Sequence, residues 1–152
     1  MLSPAGALAY LDLADTDNLA ANAATVVGQR FTAGPVNVSG TGGIQSASVD
    51  SFTVPTQTVN CTLQVTVTFQ EYETSVAGTQ VSTVDNGVTS SNAIPLTGAS
   101  SANPSTDPIT YQFAYTANTS TTLRLNWSVN SPGGPNSATY KNVQWRWEFI
   151  KR

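Results

Sequence analysis

The chain has 152 residues, a formal net charge of −3, 39% hydrophobic residues and only 10% charged ones, whereas soluble domains usually carry about 25% charged residues. Six Lys and Arg, scattered without a run, exclude the basic face that a nucleic-acid partner needs. No stretch approaches the ~20 apolar residues of a membrane-spanning helix, and no basic amphipathic helix is present to lie on a bilayer.

Ser and Thr fill the place of the missing charges, with 16 Ser and 22 Thr. Thr favours strands and Ser favours turns, so the bias points to β-structure before any pattern is read. Histidine is absent, which removes Ser-His-Asp and Cys-His mechanisms and the commonest transition-metal ligand. Cys61 is the only cysteine. It can form neither an internal disulfide nor a zinc site, and it shares parity with Val59, Leu63 and Val65, which reads as a small core residue. No Gly-rich phosphate loop followed by Lys and Ser or Thr occurs. The sequence therefore predicts no enzyme and no cofactor.

In chain order, residues 1–30 lack a single period. Asp12, Asp15 and Asp17 sit among Ala-rich stretches. A short helix capped by Asp17 and running from Leu19 to Ala24 fits, and so does an extended arm carrying Leu8, Tyr10, Leu11 and Leu13. The start, Met1-Leu2-Ser3-Pro4, has neither the basic nor the apolar region of an export signal. Between residues 34 and 43, four Gly bracket a possible short strand at Val36–Val38. A strand near Ser48–Val54 ends at Pro55. From Val59 to Gln70, apolar Val59, Cys61, Leu63, Val65, Val67 and Phe69 alternate strictly with polar residues, the mark of a half-buried strand. Asp85-Asn86-Gly87 predicts a hairpin turn between Val81–Val84 and Val88–Ser90. Residues 95–108, with Pro95, Gly98, Pro104 and Pro108, predict a long loop.

The last third predicts a three-stranded antiparallel meander. Ile109, Tyr111, Phe113 and Tyr115 form one apolar row, Leu123, Leu125, Trp127 and Val129 a second, and Val143, Trp145, Trp147 and Phe149 a third. Turns are expected at Asn118–Ser120 and at Ser131–Asn136. The total is about eight strands. Immunoglobulin domains are shorter, and the antibody type carries a Cys pair missing here. The fold expected is therefore all-β: an antiparallel two-sheet β-sandwich of jelly-roll kind over residues 31–152, preceded by residues 1–30 as an arm or short helix.

Several candidate sites follow. The aromatic row could stack on sugars or meet a subunit, but a polar opposite face argues that it fills the core. That polar face carries Gln112, Arg124, Asn126, Gln144, Arg146 and Glu148. Either Arg could pair with Glu148 across strands, and the face could meet a neighbouring subunit. Asp12, Asp15 and Asp17 lack the Gly and distal Glu of a calcium loop. Glu71 and Glu73, two apart on a strand, lack the opposed geometry of a glycosidase pair. Four Asn-x-Ser/Thr triplets, at Asn37, Asn60, Asn118 and Asn126, are about what the composition yields by chance.

A Thr-rich strand of twelve residues, long polar loops and the terminal Trp145-Arg146-Trp147 strand resemble small tailed-phage virion proteins, namely head decoration (cement) proteins and the β-sandwich heads of fibres. The resemblance is one of style and length. It implies a homo-oligomer, such as a trimer, seated on the major capsid protein at the virion surface after assembly in host cytoplasm. It also implies an N-terminal arm laid on a neighbour. The candidate partner contacts are Leu8, Tyr10, Leu11, Leu13, Arg124, Arg146 and Glu148. Two alternatives stand beside it: a carbohydrate-binding or adhesin module of a phage fibre or secreted protein, and a coat protein that forms the shell itself. Scarce basic charge counts against the latter.

Overall fold

The computed structural model describes residues 26–32, 34–98 and 100–150. The described residues form seven strands: β1 (Val26–Thr32), β2 (Val36–Val54), β3 (Cys61–Ser75), β4 (Gln80–Asp85), β5 (Ile94–Pro95), β6 (Ser105–Tyr115) and β7 (Thr121–Ile150). Every pairing is antiparallel. The ladders join into one sheet in the order β5-β4-β7-β3-β6, with β1 and β2 also hydrogen-bonded to β7. The separation into two sheets expected from the sequence is not what the hydrogen bonding gives. The 30-residue β7 belongs to both halves, and the sheet curls around a shared interior.

The strict alternation places one side of each strand in that interior. Leu63, Val65, Val67 and Phe69 of β3 are buried, as are Leu123, Leu125, Trp127, Val129, Val143, Trp145, Trp147 and Phe149 of β7. All three tryptophans thus face inward, at 0, 1 and 9% exposure in chain order. Burying each side chain of this size contributes about 1.5–3 kcal/mol. Cys61 is half-buried and packs against the core.

The expected meander is absent. β6 pairs with β3 and not with β7. The rows 123–129 and 143–149 are two parts of one strand rather than antiparallel neighbours. The Ser131–Asn136 segment is a bend within β7, and β2 bends with it. Thr41 faces Pro135 while Gly43 faces Ser131, so β7 carries two extra residues there. Gly42, Gly43 and Gly134 all have positive φ at this bend, a backbone region that residues with a Cβ disfavour. The turn after Asp85 forms, with the Asn86 N–H donating to the Thr89 carbonyl at 3.2 Å. The strand expected at Val88–Ser90 reduces to a bridge between Asp85 and Ser90. The loop expected over 95–108 is shorter, because β6 already begins at Ser105.

Two bulges switch which side points inward. In β2, Ser48 faces Asn126 but Asp50 faces Leu125. The extra residue, Val49, breaks the period of two, so Val49 is buried and the next inward side chains fall on even numbers: Asp50, Phe52 and Val54. In β7, Thr68 faces Gln144 while Gln70 faces Lys141. Asn142, at φ 52°, takes up the extra residue there, so Tyr140 and Val143 are both buried.

Candidate interaction surfaces

The polar groups inside the sheet are structural ties. The β2 bulge brings Asp50 under Trp145. Its carboxylate accepts from Trp145 Nε1 at 2.8 Å, Thr32 Oγ1 at 2.5 Å, the Ser51 backbone N–H at 2.9 Å and Arg30 at 3.2 and 3.3 Å. Phe52 lies across Trp145 and Trp147, with ring centroids 5.1 and 4.9 Å apart, and the Arg30 guanidinium sits 5.3 Å above Phe52. This cluster ties β1 and β2 to the end of β7.

A second tie lies deeper. Trp127 Nε1 donates to Gln80 Oε1 at 2.6 Å, and Gln80 Nε2 donates to the Ser75 carbonyl at 2.8 Å. Tyr140 shares a 2.7 Å hydrogen bond with Ser82, and burial pushes its phenol well above the ordinary tyrosine range. A third tie fixes the loop before β6: Glu71 Oε1 accepts from the backbone N–H groups of Thr97 and Gly98, both at 2.7 Å. Neighbouring Glu73 has its carboxyl raised above the usual range, by burial first and by the Glu71 charge second. Among the described residues no group of three or more His, Cys, Asp or Glu is placed to hold a metal ion.

The candidate contact residues do not share one surface. Leu8, Tyr10, Leu11 and Leu13 lie outside the described residues. Arg124 sits on the first half of β7 and pairs with Asp85 at 3.1 Å, where Asn126 also donates to that carboxylate. The cross-strand pair of Arg124 or Arg146 with Glu148 does not form, because the bend in β7 separates Arg124 from the other two. Arg146 and Glu148 lie on the outer side of the second half of β7. There Arg146 stands between Gln29 of β1 and Thr66 of β3. Gln112 is two strands away and donates to Gln64.

This outer side of β1, β7 and β3 has a shallow depression of about 500 Å³, lined in part by Gln29, Phe31, Thr66, Gln144 and Arg146. Val27 and Phe31 are 52 and 53% exposed beside it. Neither stood out in the sequence, although the run Val26–Thr32 offers the signal: Val27, Gln29 and Phe31 share a parity, and Arg30 takes the other. The surface has two apolar side chains, amides, hydroxyls and one cation. It can make contacts, and it holds no nucleophile beside a base.

No protein-family model matches the chain, and no curated protein matches it. Solved structures do. The structure of the Gt strain of infectious bursal disease virus superposes with a TM-score of 0.51 at 10% identity, over 83% of this chain and 33% of that one. A crystal structure of the infectious bursal disease virus VP2 subviral particle gives 0.42 at 10% identity, over 84% and 37%. The Gx strain gives 0.42 at 9% identity, over 83% and 36%. The chain therefore spans about a third of the length of these neighbours. With the geometry above, the first of these likenesses establishes a β-rich fold similar to part of a virus structure.

Proposed function

We propose that the chain is a non-enzymatic structural component of a virus particle, and within that class a decoration or cement protein of the tailed-phage head type. The observation that carries the reading is a sealed all-β domain, with every tryptophan inside, whose fold is similar to part of the infectious bursal disease virus structure. Such a domain offers surfaces rather than a site. Its partners on this reading are the major capsid protein and further copies of itself, a trimer being the form the resemblance implies, at the virion surface. The part of residues 1–30 that precedes β1 acts as an arm on a neighbour through Leu8, Tyr10, Leu11 and Leu13, with Arg124, Arg146 and Glu148 as further contacts. The scarcity of Lys and Arg favours decoration over a shell that lines packaged nucleic acid. A carbohydrate-binding module needs a Trp or Tyr exposed in a groove, and the inward tryptophans count against it.

Density-gradient purification of particles from cells that make the chain together with its capsid tests the proposal. A fixed stoichiometry of the chain on the particle is expected. Its complete absence from intact particles overturns the reading.

A further inference from the structure

Four strands of the sheet have a hydrogen-bonding neighbour on one side only among the described residues: β1, β2, β5 and β6. An open strand edge carries backbone donors and acceptors ready to pair with another chain, and proteins usually blunt it with Pro, bulges, short length or charge. β5 is two residues long and includes Pro95. β6 has Pro108 within it. β2 carries two register shifts. β1 has neither Pro nor bulge, and its one charge, Arg30, is on the inner side and held by Asp50: seven residues run in unbroken register with β7, with exposed Val27, Gln29 and Phe31 on the outer side.

We propose that β1 pairs antiparallel with β1 of a second copy, about a two-fold axis at Gln29, so that the two sheets run on into each other. The strand is self-complementary in that register. Val27 falls opposite Phe31 of the other copy on the outer side, and Phe31 opposite its Val27, an aromatic with a β-branched residue. Gln29 meets Gln29, so no like charges face each other across the axis. On the inner side Arg30 falls opposite Gly28, which has no side chain to crowd it. Arg30 is already paired with Asp50 at 3.2 Å, so the new strand strands no unmatched charge. Outward-facing Arg146, which stands beside Gln29 on β7, lies three strand spacings from its copy, about 14 Å, beyond the ~10 Å reach of screened charge.

The size of the contact sets its strength. At about 3.3 Å per residue the shared edge is roughly 23 Å long, too short to bury the ~1,200–2,000 Å² of a stable complex. The pairing is therefore weak in dilute solution and gains occupancy with concentration, or on a lattice that holds copies side by side. It deepens the virion reading and rests on it for that lattice.

Sedimentation equilibrium of the full chain, with crosslinking in a Cys61→Ser background, tests the pairing. The mean mass should climb from monomer toward dimer with concentration, and Phe31→Lys should weaken association at least tenfold. Gln29→Cys should form an interchain disulfide under mild oxidation, far faster than Val88→Cys on the exposed turn after Asp85. A mass that stays monomeric at every concentration overturns the proposal, and so does Gln29→Cys crosslinking no faster than Val88→Cys. Particles that carry the chain with position 29 uncrosslinked would remove the β1 pairing and leave the virion reading standing.

Discussion

Replacing Asp50 by Ala tests whether the bulge in β2 exists in order to seat a carboxylate under Trp145. Asp50 is 9% exposed at its side chain and Arg30 is 36% exposed. The variant removes every side-chain acceptor at once, with unequal consequences. Trp145 is 1% exposed, so its indole N–H is left in the interior without an acceptor, at about 1–3 kcal/mol. The Thr32 hydroxyl is half-buried and can turn to water, for about 1 kcal/mol or less. Arg30 rehydrates, so its pairing contributes about 0–1 kcal/mol. The total is about 3 kcal/mol, a large share of the ~5–15 kcal/mol that holds a domain folded, and lowers Tm by roughly 6–12 °C. Urea unfolding followed by tryptophan fluorescence measures it. A double-mutant cycle then apportions it: coupling of Asp50 to Trp145, read with Trp145→Phe, should exceed coupling to Arg30, read with Arg30→Met. An Asp50→Ala cost under about 1 kcal/mol, or the reverse order of couplings, refutes the reasoning.

Four further outcomes are expected. Gly98→Ala should cost about 2–3 kcal/mol in urea, because a Cβ there lands well inside van der Waals contact with the Glu71 carbonyl oxygen; unchanged stability would show that the loop yields freely. Tyr140 ionises in the unfolded chain near its ordinary value of 10.0 but only at higher pH when folded, so stability should fall as pH rises past about 10, and Tyr140→Phe should flatten that fall. Glu73 has the same sign at acid pH: its folded value lies above 4.5, so its penalty is absent below about 4.5 and grows as pH rises through the folded value. Urea midpoints of Glu73→Gln against the parent should then diverge in favour of the variant toward neutral pH, and equal midpoints would contradict it. Deletion of residues 1–25 should keep the β-signal in circular dichroism and weaken particle attachment. Deletion of 1–30 should also lower the unfolding midpoint, because residues 26–30 are most of β1; a β-signal lost on the shorter deletion would refute the arm reading.

Alternation along the chain foretold the inward faces of β3 and of both halves of β7, since a strand with one wet side must repeat every two residues. It could not foretell partners. The row Ile109–Tyr115 looks the same whether its neighbour is β3 or β7, because the pattern marks a face and not an edge. Pro132, Gly133, Gly134 and Pro135 read as a turn because Pro and Gly usually end strands. Here the ladder to β2 resumes on both sides of them, with Thr41 on Pro135 and Gly43 on Ser131. Asp50 was hidden for a related reason. A period of two assigns it the side opposite Val49, and only the bulge places both inside. Of the candidate contacts, parity correctly set Arg146 and Glu148 outward, but the expected ion pair failed because Arg124 belongs to the other half of a bent strand and finds Asp85.

The placement of charge and amide in this domain separates two kinds of variant. Asp50, Gln80 and Glu71 are bound to groups distant in sequence: Trp145, Trp127 and the Thr97–Gly98 backbone. Each closes a seam where the sheet curls or a loop is pinned, so each loss should register in folding first and in assembly only through folding. Val27, Gln29, Phe31 and Arg146 face outward from paired strands whose inner sides are already packed, and substitution of exposed side chains usually changes stability by less than about 0.5 kcal/mol. If the domain works through its surfaces, variants of the outer set must alter mass or particle occupancy at unchanged urea midpoint. A panel in which occupancy instead follows the midpoint across both sets would mean that these outer residues make no contact in the assembled particle, and that some other surface does.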